Sequence, residues 1–550
     1  MFKTLSLVLL FSLFFCSQNL SAQAWKWARG SNCPRGLIES WPVAVDASGN
    51  TYMAGTNMPS WTLPYDSLKS YFGTDSVRGS GLVIASADSN GTYRWAIGAK
   101  DAGVWNLSAD AAGNVYVFGY FSNHYFTLGT HTISSGGFDN AGFCAKLDAA
   151  GNVIWLKMIA DSSMCTGIVG PSGDIYMAGQ FSAAHLTFGT TTLTNSLVGT
   201  YDIFVAKLDT AGNVIWAGSF GGDSVESIAS SSLAVTPTGD AYLMGTYKSP
   251  TMTIGTTTLI NPTSGTIPYG FVTKYNSSGT PLWAKSIAFS EPIYPQLNGI
   301  GTDYSGNVYL TGGFNGTITF GTYTLTSAIS SKMFLARYDV NGIFRWANTN
   351  NSSAYSVGYS VAPDVCGNVW ACGYAIDVMG SDPLKIARYD SSGAISDSIY
   401  ISSGGDDLAN LLVDNRGNLY VCGDYYMDSF VVGHDTLRLT DSTLETLFIA
   451  RYTYPICSIP ALEVKAEVEP LAGIFLYPNP ASNELLIHSG SGVSIIEAEI
   501  SDIAGRQIAK YKLTGNQPSI DVSNLPPGVY LCKMYTAENS IIVRKFIVTK

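Results

Sequence analysis

Six carboxylates stand apart from the rest of this sequence: Asp101, Asp161, Asp223, Glu226, Asp406 and Asp407. Most other Asp residues open Asp-x-x-Gly turns, where a structural duty accounts for them. These six fall instead after apolar strands, near the loops that lead to the next unit. Acids gathered on one surface can hold a sugar, a cation or a basic partner. Two carboxyl groups at a suitable separation can also hydrolyse a glycosidic bond, and Asp223 and Glu226 are the candidates for that, each needing a further acid nearby. Tyr120, Phe121, Tyr247 and Tyr374 would stack on sugar rings if exposed, and core packing is the competing duty.

Other chemistry is thinly provided. There are five histidines. His124 and His185 occupy nearly the same point in successive units but are offset by one position, which disfavours a shared metal. No HExxH, GxSxG or phosphate-cradling loop occurs, and the cysteines show neither a CxxC pair nor metal-ligand spacing. The sequence therefore assigns no catalytic residue, no metal and no cofactor.

The elements that must position these residues are repeats. Seven copies of one pattern, typically Asp-x-x-Gly-Asn, an aromatic strand and a closing Gly, run from Asp46 to Gly423. The closing glycines, Gly55, Gly119, Gly179, Gly245, Gly312, Gly373 and Gly423, are 64, 60, 66, 67, 61 and 50 residues apart. A near-constant period of this size marks a repeat architecture. Each unit also carries a Thr-Phe-Gly-Thr-like hairpin, as in Thr187-FGTTTL, and a strand ending in Lys or Arg, as in Phe204-VAKL-Asp209. A last strand carries a Trp: Trp95, Trp155, Trp216, Trp283 and Trp346. Runs of four to seven β-formers bounded by Gly, Asp, Asn and Ser read as strands and hairpins. Several are apolar almost throughout, as strands covered on both faces are. The expected fold is all-β, a seven-bladed propeller over residues 25–455. The seventh unit lacks its Trp strand, while Ala24-WKWAR-Gly30 is a Trp strand with nothing before it. An N-terminal strand therefore closes the ring. A Cys33–Cys457 disulfide could staple that closure, with buried thiols as the alternative. The sixth unit departs from the pattern: it lacks the Phe-Gly-Thr hairpin and has Ile399-Tyr400 in place of the Trp.

These recurring turns and strand ends resemble the SBBP-type β-propeller repeat of exported bacterial proteins. The resemblance covers roughly residues 25–455. It implies a propeller and carries over no catalytic residue.

The period stops near Tyr454. Residues 456–473 read as a linker, and 474–550 as a small Ig-like β-sandwich with alternating strands and Pro/Gly turns. Tyr477-Pro478-Asn479-Pro480, the segment ending Gly528-Val529-Tyr530, and the terminal run from Lys545 to Lys550 resemble the type A C-terminal sorting domain of the type IX (Por) secretion system. That resemblance implies export across an outer membrane, partnership with the secretion machinery and removal by a sortase-like peptidase. It also implies linkage, in many members, to surface lipopolysaccharide. At the other end, Lys3, the apolar run from Leu5 to Phe15 and the small residues before Ala24 form a signal peptide, residues 1–24.

A formal net charge of −11 disfavours nucleic acid and anionic lipid as partners. No later segment is apolar enough to span a membrane, so the mature chain is expected to be exported without an anchor helix. The expected function is non-enzymatic, adhesion-like binding of a glycan or protein outside the cell. A polysaccharide lyase or hydrolase on the same scaffold, and a purely structural matrix component, are the alternatives.

Overall fold

The computed structural model describes residues 24–33, 36–39, 42–59, 68–137, 140–160, 165–291, 296–327, 331–349, 355–375, 384–401, 410–414, 416–425, 429–439, 446–455, 475–479, 481–488, 495–502, 507–513, 518–526, 528–536 and 541–548. The chain divides into two compact units, 1–457 and 458–550.

Among the described residues, the first unit holds seven sheets built on four antiparallel strands, beside five two-stranded hairpins. In blade three these are Cys165–Val169, Ile175–Phe181, Asp202–Leu208 and Val214–Phe220, from the inside outward. In blade four they are Leu233–Val235, Ala241–Tyr247, Tyr269–Tyr275 and Pro281–Phe289. Each innermost strand packs against those of the neighbouring blades, and Val43–Val45 of blade one meets Asn410–Val413 of blade seven. The ring is closed around a channel of about 170 Å³ that every blade helps to line. The first unit is thus a β-propeller. Every residue of Ile175–Phe181 and Asp202–Leu208 is buried, as strands sandwiched between blades must be.

The Asp-x-x-Gly-Asn turns work by side-chain capping. In blade two, Asp110 Oδ1 accepts the backbone N–H of Ala112 and Asn114, at 3.0 and 2.9 Å. Its Oδ2 accepts Asn114 Nδ2 at 2.7 Å and the Tyr116 hydroxyl at 3.2 Å. Gly113 sits at φ 83°, where an L side chain would be strained. Blades three and four lack the leading Asp, and the acid moves to the far side of the turn. There Asp174 and Asp240 each pair with the third-strand lysine, Lys207 and Lys274, at 2.9 Å.

Closure is as the orphan strand implied. Ala24–Gly30 pairs antiparallel with Thr446–Thr453, with Ala28 opposite Ala450 and a bulge between Trp25 and Trp27. The tryptophans stitch each blade to the next. Trp95 Nε1 donates to Ala149 O at 3.0 Å, Trp216 Nε1 to Ser277 O at 3.2 Å and Trp346 Nε1 to Ser391 O at 3.0 Å. Trp27 does the same across the closure, to Ser89 O at 3.0 Å. Each acceptor lies in the turn joining the third and fourth strands of the following blade. Blade seven has no such turn, because its fourth strand comes from the other end of the chain. A Trp in blade six would have no acceptor there, and its place opposite the third-strand Arg388 is taken by Asp397 rather than by the expected Ile399-Tyr400, since Tyr400 pairs with Lys385. Tyr454 instead packs on Trp370 with ring centroids 5.2 Å apart, beneath the Arg388 guanidinium at 4.8 Å. The missing hairpin of blade six falls at 376–383, outside the described residues.

The expected Cys33–Cys457 staple is not formed. Cys33 is a buried thiol, within 3.1 Å of Asn57 Oδ1 and 3.4 Å of Ser70 Oγ. It turns into the packing of blade one rather than toward the chain end. Among the described residues, Cys366, in the Asp-x-x-Gly turn of blade six, is disulfide-bonded. Cys457 lies outside the described residues.

The second unit is a sandwich of a three-stranded and a four-stranded antiparallel sheet. Leu485, Ile500, Ile520, Cys532 and Phe546 form its core.

Candidate functional site

The two ends of the ring differ chemically. Turns between first and second strands, and between third and fourth, lie at one end. At its mouth a pocket of about 410 Å³ is lined by Asp46, Asp110, Asp414 and Arg416. Its carboxylates are engaged in their own turns. Asp46 accepts Ser48 N, Asn50 N, Asn50 Nδ2 and the Tyr52 hydroxyl, and Asp414 repeats the pattern on Arg416, Asn418 and Tyr420. The Arg416 guanidinium donates to Ala47 O of blade one. This mouth is built for closure.

The opposite end carries the interblade loops and the Thr-Phe-Gly-Thr hairpins. Asp101 is exposed there at φ 59°, and its carbonyl accepts Ser122 N at 3.0 Å. Asp223 is also exposed. Asp161, Asp406 and Asp407 lie outside the described residues. Glu226 departs from expectation: it begins the short strand Glu226–Ser227 and is fully buried, so it is not part of the exposed loop face. Its backbone N–H donates to Tyr201 O at 3.1 Å, which ties it to blade three. Its carboxylate accepts Ser249 Oγ at 2.5 Å and Gly222 N at 3.2 Å. Burial, with Asp202 adding like charge, raises its pKa to about 7.

The aromatic candidates also change roles. Phe121 and Tyr247 are core residues, and Tyr120 packs on Trp105 with ring centroids 5.4 Å apart. The side chain of Tyr374 lies outside the described set. A different group is exposed between blades three and four: Leu197, Val198, Tyr201 and Val225, at 48%, 67%, 39% and 42%. Asn195 holds this loop from below, donating to Phe181 O and Thr200 O and accepting Leu197 N. The legible signal was Leu197-Val198, an apolar pair inside a loop that needs none. Asp202 was also missed, because it reads as the ordinary start of a strand. Among the described residues, no cluster of three or more His, Cys, Asp or Glu is placed to hold a metal.

In the second unit the sorting motifs meet. Asn479 Nδ2 donates to Lys545 O at 3.2 Å, and Asn479 Oδ1 accepts Ile547 N at 2.9 Å. Ala481 N donates to Ile547 O at 2.8 Å. Tyr530 stacks on Phe546, and its hydroxyl donates to Pro526 O at 2.8 Å. Gly528–Thr536 and Ile541–Val548 pair along their length, so the motif segments form one hydrogen-bonded corner. Pro480 and Lys550 lie outside the described residues, as does the Val529 side chain. The family model for the secretion system C-terminal sorting domain matches residues 475–549. Residues 475–549 are a C-terminal sorting domain. The protein is accordingly secreted by the type IX system across the outer membrane, to the cell surface or beyond. Its sorting domain engages that machinery.

An uncharacterised WD repeat-containing protein of Acanthamoeba polyphaga mimivirus is 23% identical over 399 residues. The match covers 58% of this chain and only 28% of that protein's length. Solved structures with similarity include the Dos1 propeller, at TM-score 0.40 and 9% identity over 79% of this chain and 96% of that one. A Dyadobacter fermentans protein of unknown function gives TM-score 0.39 and 10% identity, over 78% and 99% of the two chains.

Proposed function

We propose that the exported propeller works by binding, without turnover, a glycan or protein ligand outside the cell. The observation that supports this is the exposed group Leu197, Val198, Tyr201 and Val225, with Asp223 beside it, on two loops joined by the hydrogen bond from Glu226 N to Tyr201 O. Apolar and aromatic side chains displayed on a rigid frame, rimmed by polar groups, suit recognition. A hydrolytic role for Glu226 would require its carboxyl to reach a substrate, and burial opposes that. Removal of the sorting domain within residues 456–474, followed by linkage to surface lipopolysaccharide, completes the reading.

A glycan-array screen of the full chain tests it. Selective binding that Tyr201→Ala weakens by about tenfold or more would support the reading and name the ligand class. Silence across a broad array would remove the glycan ligand and leave a protein ligand or a structural role. Turnover of a bound glycan would overturn the non-enzymatic part.

A further inference from the structure

Below the exposed loops, two acids are buried together, and among the described residues no side-chain cation pairs with them. Asp202 is 1% exposed and Glu226 0%. Both converge on the Gly221–Gly222 peptide. A Cβ on Gly221 would lie 2.0 Å from Asp202 Oδ1, and Glu226 Oε2 accepts Gly222 N at 3.2 Å. Asp202 Oδ2 accepts Ser196 N and Ser196 Oγ, both at 2.8 Å, whereas Oδ1 is buried with no hydrogen-bond partner. No described Lys, Arg or His makes an ion pair with either acid. Desolvating two carboxylates without compensation is costly.

The fold does not require them. At the register position of Asp202, the other described blades hold Gly81, Ala141, Tyr269, Lys332 and Thr446. At that of Glu226, blades one and two hold Ile38 and Ala102.

We infer that Asp202 and Glu226 form a site for a hard divalent cation, calcium foremost, seated at Gly221–Gly222 between blades three and four. The donors are oxygens: the orphaned Asp202 Oδ1, the Glu226 carboxylate and the hydroxyl of Ser249, with water completing the shell. Such a set prefers calcium or magnesium to softer metals. Two carboxylates give modest affinity, about 0.1–1 mM, which suits a protein that works outside the cell. The glycines matter because a side chain at Gly221 would collide with the Asp202 carboxylate, its Cβ 2.0 Å from Oδ1 and 2.3 Å from Cγ, and push that ligand out of place. The ion would bridge the loops carrying Ser196 and Glu226, and so fix their spacing whatever ligand the surface above them takes. The charged groups around it are Asp202, the exposed Asp223 and the exposed Lys248, whose backbone N–H donates to Val225 O.

The test uses the full chain freed of divalent ions by chelation. Calcium chloride is titrated calorimetrically at pH 8, with terbium luminescence excited through nearby tyrosine as a second readout. The expected result is one saturable site near the millimolar range, a melting temperature that rises with calcium, and at least about tenfold weaker binding in Asp202→Asn and in Glu226→Gln. Gly221→Ala should weaken binding comparably with neither acid altered. No saturable binding by the unaltered chain up to about 10 mM calcium, magnesium or manganese would overturn the inference without recourse to any variant. Binding that persists unchanged in folded Asp202→Asn and Glu226→Gln would overturn it equally.

Discussion

One carboxylate satisfies four donors in each complete turn, and a carboxylate so bonded is hard to replace. Removing Asp110 leaves two backbone N–H groups, Asn114 Nδ2 and the Tyr116 hydroxyl without their acceptor. Asp110→Ala should cost about 2–4 kcal/mol, and Tyr116→Phe, which loses one bond, about 1 kcal/mol. Urea unfolding of the two variants checks both the size and the order. Glu226 makes the opposite kind of prediction. Its folded pKa of about 7 lies above the ordinary glutamate value of 4.5, so between the two the folded state holds a proton that the unfolded state has released. Its contribution is favourable below the unfolded value and is lost as pH rises through about 7. With divalent ions chelated, stability should fall between those limits with a slope of about one proton per molecule, and Glu226→Gln should remove that slope. A pH series of denaturant melts reads this directly. The residues doing this work were unevenly visible beforehand. The turn acids were legible because they recur. Asp202 was not, because its meaning lies in burial beside a residue from another blade.

At the scale of elements, the outer hairpin turns of blades one to six each receive the tryptophan of the blade before. Except in blade three, where Gly212 faces Lys157, the turn glycine therefore has two duties: a left-handed backbone and a bare Cα against the indole. Gly279 has φ 84°, and a Cβ there would meet the Trp216 ring at 2.5 Å. Gly199 has φ 95° but nothing within 4 Å. Both Ala variants carry the backbone cost, about 1 kcal/mol, and Gly279→Ala should add a further ~1–3 kcal/mol from the clash. Equal destabilisation of the two would show that the interblade contact contributes nothing. Trp216→Phe keeps part of the ring packing and loses the bond to Ser277 O, so about 1 kcal/mol is expected. The repeat made these elements readable from period and turn chemistry alone. Loop exposure was not readable, because the same aromatic letters serve as core in Tyr247 and as surface in Tyr201.

For the whole molecule, the two units have separable tasks, one to fold as a ring and one to be recognised for export. Deleting residues 475–550 should leave the ring's melting temperature within a few degrees and abolish its appearance outside the cell. Fractionating cells into periplasm, surface and medium would decide it, and undiminished export would contradict the assignment of the tail. The architecture of both units was legible from the sequence, because strand order and motif order are one-dimensional facts. The site was not, because it depends on which loops the ring brings into contact.

The clasp has a kinetic consequence. Ala24–Gly30 is among the first segments of the folded ring to be synthesised, and its partner Thr446–Thr453 is the last strand of that ring. Pairing them spans nearly the whole propeller, the kind of non-local contact that forms slowly because so much chain must be ordered first. Until then the first strand is a tryptophan-bearing β-segment with no partner, and the last strand is an unprotected edge. The period between synthesis and closure is therefore when the chain is most exposed to mispairing with another copy. Chaperone dependence, if present, should be confined to that interval.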